Sequence, residues 1–155
     1  MSEPRIKYWE IAPDSIAKMR QMEHHLNAES GMDHSLLELI RLRASQMNGC
    51  ASCIEIHTRE LNKLNEAPQR IAEVEEWRNS DLYTKRERAA LSWTEVVTNI
   101  QDGHAPDAVY DEVRAVFSEV EAVNLTVAIG SINAWNRLTV ALGVHENEGA
   151  HEVTE

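Results

Sequence analysis

Pro13, Gly31, Gly49, Pro68, Gly103, Pro106 and Gly143 all fall between stretches whose apolar residues recur every three to four positions. Proline cannot continue a helical hydrogen-bond ladder, and glycine readily takes the left-handed conformation that closes one, so residues placed this way punctuate helices. Pro4 and Gly149 lie near the ends, and Gly130 alone interrupts a helical stretch. No sustained alternation of Val, Ile, Thr and aromatic residues marks a strand. The pattern predicts an all-α fold, a compact single-domain helical bundle of about seven helices. These are expected over Asp14 to Ala28, Ser35 to Met47, Ala51 to Leu64, Ala67 to Trp77, Lys85 to Ile100, Asp107 to Phe117 and Glu119 to Leu142.

Two of these starts carry their own mechanism. Thr84 with Glu87, and Ser118 with Glu121, match the capping box, in which hydroxyl and carboxylate satisfy each other's orphan amide donors. In the last helix Val120, Val123, Val127, Ile129, Ile132 and Leu138 leave few polar gaps, which predicts burial on more than one face, centrally or against another subunit. Asn133, Trp135 and Asn136 interrupt that run, and the two Asn read either as buried structural hydrogen-bonding groups or as pocket lining.

The chain of 155 residues is 43% hydrophobic, enough for one domain to build a core without disulfides or structural metal. The helical domain is expected over residues 1–143, and the polar, acidic tail over 144–155 is expected to be disordered. Its His145 and His151 are not spaced as HExxH and read as solvated. His24 and His25 have no partner assignable from spacing and read the same way. Fifteen Lys+Arg against 26 Asp+Glu give a formal charge of −11, which argues against nucleic-acid and anionic-membrane partners. Neither a signal peptide nor a span of membrane-crossing length is recognisable, so a cytoplasmic protein is expected. GxGxxG, GxxxxGK[ST] and GxSxG are absent, which removes the dinucleotide, P-loop and α/β-hydrolase readings, and no cofactor is expected.

Chemistry concentrates at Cys50 and Cys53, the two cysteines of the chain, which form a CxxC. In a reducing compartment such a pair reads as redox-active or metal-binding rather than as a structural staple. Asn48-Gly49 is a left-handed helix stop, so the CxxC opens the next helix, where free amides and the helix dipole favour a thiolate. His57 follows Cys53 by four residues, one turn along the same face, and is the imidazole that can serve that thiol. Glu38 lies on the preceding helix. If the two helices fold back as a hairpin its carboxylate reaches the imidazole; otherwise it reads as a surface group paired with Arg41.

Glu38, Cys50, Cys53 and His57 together spell E-x11-C-x2-C-x3-H. With LLELIRLRASQMNGCASCIEIHTREL around them, and EWRNSDLYTKRERAALSWTE, PDAVYDEVRAVFSE and INAWNRL further on, the chain resembles the AhpD-like alkylhydroperoxidases of the carboxymuconolactone decarboxylase superfamily, in particular their peroxidase-related subgroup. The resemblance implies an AhpD-like helical fold, a homo-oligomer, trimeric or hexameric, and peroxide-reducing or disulfide-reductase chemistry at the CxxC. Members that decarboxylate a muconolactone lack the cysteine pair, so Cys50 and Cys53 argue against decarboxylation. Some peroxidase members carry a second His just before the second Cys, where this chain has Ser52.

The expected reaction is reduction of a small-molecule hydroperoxide by Cys53, with Cys50 resolving the sulfenic acid to a disulfide and an external dithiol or protein thiol resetting the pair. The thioredoxin-type order, in which Cys50 attacks, stays open. Two readings of other classes stand beside it: a non-catalytic redox sensor or binding oligomer, and a zinc module holding the metal through Cys50, Cys53, His57 and Glu38.

Overall fold

The computed structural model describes residues 3–143. The tail expected over 144–155, with His145 and His151, lies outside the described residues. Regular structure among those residues is entirely helical: α1 (Tyr8–Ile11), α2 (Pro13–His24) running on into a π turn (His25–Glu29), α3 (His34–Met47), α4 (Ala51–Lys63), α5 (Pro68–Ala72), a 3₁₀ segment (Val74–Asn79), α6 (Lys85–Thr98), α7 (Asp107–Val116) and α8 (Glu119–Ala141). None of these helices is long and apolar enough to cross a membrane.

The centre of the bundle is α3, which packs against α4, α6 and α8. Its apolar residues face three directions, and each direction meets a different cluster. Leu37 and Ile40 join Trp93, Val113, Leu125 and Ile129; Leu39 and Leu42 join Leu61, Ile71, Val74, Trp77 and Leu91; Ala44 joins Tyr8, Ile16, Ile132 and Trp135. A helix apolar nearly all round is a buried helix. The fourth direction is polar: Glu38, Arg41 and Ser45 recur at helical spacing and are all buried.

Both capping boxes form, Thr84 with Glu87 at the start of α6 and Ser118 with Glu121 at the start of α8. One helical expectation is corrected, and one helix was not foreseen. The helix expected from Ala67 to Trp77 divides after Ala72, with Glu73 at φ −94°, ψ 4°, and continues as the 3₁₀ segment. Buried Ile71, Val74 and Trp77 are spaced by threes, a period that 3₁₀ geometry stacks on one side. The carbonyls of Trp77, Arg78 and Ser80 then accept hydrogen bonds from Arg88 of α6. The helix not foreseen is α1, whose four residues are too few for a period to register; it is held by Tyr8, which is buried and pairs its hydroxyl with Thr139 of α8 at 3.4 Å.

The Asn pair of α8 is structural. Asn136 donates to Ser45 at 3.0 Å and Asn133 to Thr98 at 3.0 Å, and both carbonyl oxygens accept from Nδ2 of Asn48 at 2.9 Å. Asn48 caps the end of α3, so these bonds tie the α3–α4 turn to α8. Nor are His24 and His25 without partners: Glu29, on the π turn, lies 3.7 Å from His24 and 3.1 Å from His25.

Candidate active site

The turn that delivers the cysteines is a Schellman closure. Gly49, at φ +63°, takes the left-handed position; its amide donates to Gln46 O at 3.2 Å and that of Cys50 to Ser45 O at 3.0 Å. Cys50 is thereby extended (φ −89°, ψ 91°) as the N-cap of α4, and Cys53 stands at its third residue. The two are joined as a disulfide with a Cα separation of 5.2 Å, inside the usual span of about 4.4–6.8 Å. Both are buried, at 1% and 0% exposure, and Ser52 Oγ lies 3.8 Å from Cys50 Sγ.

From there α4 runs back along α3 and brings His57, one turn beyond Cys53, against Glu38. Nδ1 of His57 lies 2.7 Å from Glu38 Oε2, and both residues are buried. Burial by itself would push the Glu38 carboxyl upward. The attraction of His57, hydrogen bonds from His34 and His57, and the Arg41 charge outweigh it and hold the carboxyl well below its usual range. Glu38 is therefore an ionised, acceptor-only group, so Nδ1 of His57 carries the hydrogen and the basic lone pair of the neutral ring is at Nε2.

The sequence offered two partners for Glu38, and the structure brings both to it. Arg41 Nη1 donates to Glu38 Oε1 at 2.7 Å, not at the surface but 1% exposed. The same guanidinium holds Asn27 Oδ1 at 2.8 Å and lies 2.8 Å from Glu23 Oε2, and Glu23 in turn accepts from Ser131 of α8. His34 Nε2 lies 3.4 Å from Glu38 Oε1. Glu23, Asn27 and His34 escaped the sequence reading, and Arg41 entered it only as a surface partner of Glu38. A signal was present: Glu38, Arg41 and Ser45, continued by the C-cap Asn48, form a polar stripe at spacings of three, four and three beside Leu37, Ile40 and Ala44. The π turn, whose wider winding often accompanies functional sites, carries Asn27.

A cavity of about 570 Å³ opens beside this network. Ile56, Ile132 and Trp135 supply its apolar wall; Glu38, Arg41 and His57 reach it from the buried network. Cys50 and Cys53 are not among its lining residues. No group of three or more His, Cys, Asp or Glu among the described residues is arranged to hold a metal ion.

The sequence profile of the carboxymuconolactone decarboxylase family matches residues 13–96. An uncharacterized protein of Bacillus subtilis (strain 168), YdfG, is 40% identical over 139 residues, 90% of this chain and 94% of its own. The crystal structure of a protein of unknown function from Agrobacterium tumefaciens superposes with a TM-score of 0.89 at 39% identity, covering 93% of this chain and 98% of that one. An uncharacterized peroxidase-related protein from Ralstonia eutropha JMP134, with an alkylhydroperoxidase AhpD core, superposes with a TM-score of 0.79 over 92% of this chain and 76% of that one. At 19% identity, that last likeness concerns the fold alone.

Proposed function

This chain belongs to the carboxymuconolactone decarboxylase family, and from the AhpD-like character of its site we propose that it reduces alkyl hydroperoxides through the Cys50–Cys53 pair. One observation carries the reading: a buried carboxylate–imidazole pair, Glu38 with His57 at 2.7 Å, stands one helical turn from a cysteine pair already joined as a disulfide.

In the dithiol form Cys53 yields its proton to Nε2 of His57, and Glu38 neutralises the imidazolium. The thiolate attacks the terminal peroxide oxygen. An S–O bond forms, the O–O bond breaks with its electron pair on the departing alkoxide, and the His57 proton converts the alkoxide to an alcohol. The Cys50 thiol then displaces water from the Cys53 sulfenic acid, giving the disulfide. Two electrons have moved from two thiols to the peroxide. An external dithiol, small or borne by a protein, returns them by thiol–disulfide exchange.

The decisive measurement is steady-state consumption of an organic hydroperoxide with dithiothreitol, on the wild type and on Cys53→Ser. Turnover that requires Cys53 supports the reading. A redox cycle of the pair without peroxide consumption replaces it with the sensor reading, which the burial of both cysteines favours.

A further inference from the structure

We propose that Asn136 is a positioning residue for the cysteine pair: by bracing the α3–α4 turn from α8, it favours the Cys50–Cys53 disulfide over the dithiol. The inference rests on the reading that the pair cycles between these two forms, whether its electrons go to a peroxide or the pair serves as a sensor.

Closing the disulfide requires Cys50 and Cys53 in one arrangement. Cys53 belongs to the regular part of α4, but Cys50 is its extended N-cap and has the backbone freedom of a turn residue. Two amide bonds hold the turn from within, Gly49 N to Gln46 O and Cys50 N to Ser45 O. Asn136 of α8, at 0% exposure, holds it from outside by both ends of its side-chain amide. Its Nδ2 donates at 3.0 Å to Oγ of Ser45, the residue whose carbonyl takes the Cys50 amide. Its Oδ1 accepts at 2.9 Å from Nδ2 of Asn48, two residues before Cys50. One buried side chain therefore grips both flanks of the turn that presents Cys50. Neither grip is loose, since Ser45 Oγ is itself bonded to Arg41 O at 2.7 Å and Asn48 Nδ2 also donates to Asn133 at 2.9 Å.

The direction of the effect follows from what each form already constrains. In the disulfide, the S–S bond itself keeps Cys50 beside Cys53, at a Cα separation of 5.2 Å. In the dithiol no covalent bond does so. A braced turn then keeps one sulfur at a high effective concentration near the other, whereas a loose turn must give up its freedom when the bond closes. The brace is present with the pair closed, so closure asks no rearrangement of it. Removing it therefore releases the dithiol more than the disulfide and shifts the pair toward reduction. With glutathione as the external couple, the protein dithiol gives two electrons and two protons to one glutathione disulfide; one S–S bond forms in the protein, one breaks in glutathione, and two glutathione thiols are released.

The test equilibrates the full chain with reduced and oxidised glutathione at a series of ratios, blocks free thiols by alkylation, and counts open and closed pairs by mass spectrometry. Asn136→Ala and Asn48→Ala should each shift the equilibrium toward the dithiol by about three- to tenfold, tenfold being about 30 mV for a two-electron couple. Thr139→Val is the control: it removes a buried bond of the same helix, to Tyr8, and should leave the equilibrium where it is. Urea unfolding gives a second readout, in which both Asn variants should lower the midpoint of the disulfide form more than that of the dithiol form. Asn48 is half-buried at the end of α3, so Asn48→Ala decides the question if Asn136→Ala does not fold. Equal losses of stability in the two forms with an unmoved equilibrium, or a shift toward the disulfide, overturn the proposal. No peroxide enters the measurement, so absent hydroperoxide turnover with the shift intact defeats the peroxidase reading and supports the role of Asn136, whereas an unmoved equilibrium beside normal turnover does the reverse.

Discussion

His57 and Glu38 are close enough for single atoms to matter. His57→Gln should lower hydroperoxide turnover by about 100-fold or more, the usual worth of a positioned general base, and raise the apparent Cys53 thiol pKa measured by alkylation. Glu38→Gln should do both more weakly, because the base remains and only its orientation and charge balance are lost. In Cys50→Ser the first attack should survive and peroxide should leave Cys53 one oxygen heavier by mass spectrometry, since the resolving thiol is gone. If Cys53→Ser rather than Cys50→Ser preserves the first attack, the two roles are exchanged. Glu38 also links folding to pH. Its carboxyl is held well below the usual range in the folded protein, so its stabilising contribution is complete above the unfolded carboxyl pKa of about 4.3 and is lost as pH falls through the lower folded value. The urea midpoint of the wild type should therefore drop below about pH 4.5, and Glu38→Gln should show a shallower drop.

Helices were the most legible level, because each carries its period and several carry their own stop signals. The two capping boxes could be read from four residues apiece, since cap geometry is local. Ser118→Ala should lower stability by about 1 kcal/mol, measured by denaturant unfolding, through loss of its bond to the Glu121 amide. The segment after Pro68 was not legible at the same resolution. Ile71, Val74 and Trp77 fit the buried side of an α-helix nearly as well as that of a 3₁₀ turn, and the choice rests on Arg88, which gathers three carbonyls from elsewhere in the chain. Gly49 shows the opposite case. Nothing stands within 4 Å of a Cβ placed there, so the left-handed φ is the whole constraint on the turn that presents the CxxC.

The last helix divides by face. Leu125, Ala128, Ile129 and Ile132 are buried in the protomer, whereas Val120 and Val123 are 68% and 61% exposed beside a groove lined by Trp93, Tyr110 and Val127. Burial on more than one face, expected from the apolar run, is incomplete in one copy of the chain. We propose that a second copy covers the valines in a homo-oligomer, trimeric or hexameric as the AhpD-like resemblance implies. Light scattering at micromolar concentration should give a multiple of 17.6 kDa, and Val123→Glu should shift the mass toward one protomer. A wild-type mass near 17.6 kDa would overturn the assembly.

What the sequence determined by itself follows from local rules: helical period, Gly and Pro punctuation, capping boxes, and a motif whose spacing puts Cys53 and His57 on one face of one helix. The approach of Glu38 to His57 stood there as one of two readings, because a two-residue stop between two helices permits a hairpin without requiring it. Only the tertiary structure could decide the rest of the site. Arg41, read as a surface partner of Glu38, is buried because α2 brings Glu23 and Asn27 over it and α8 brings Ser131 to Glu23. Those residues stand 14 or more positions away from Arg41 along the chain. Whether a charge is solvated or enclosed depends on which distant elements close over it, and no local period records that.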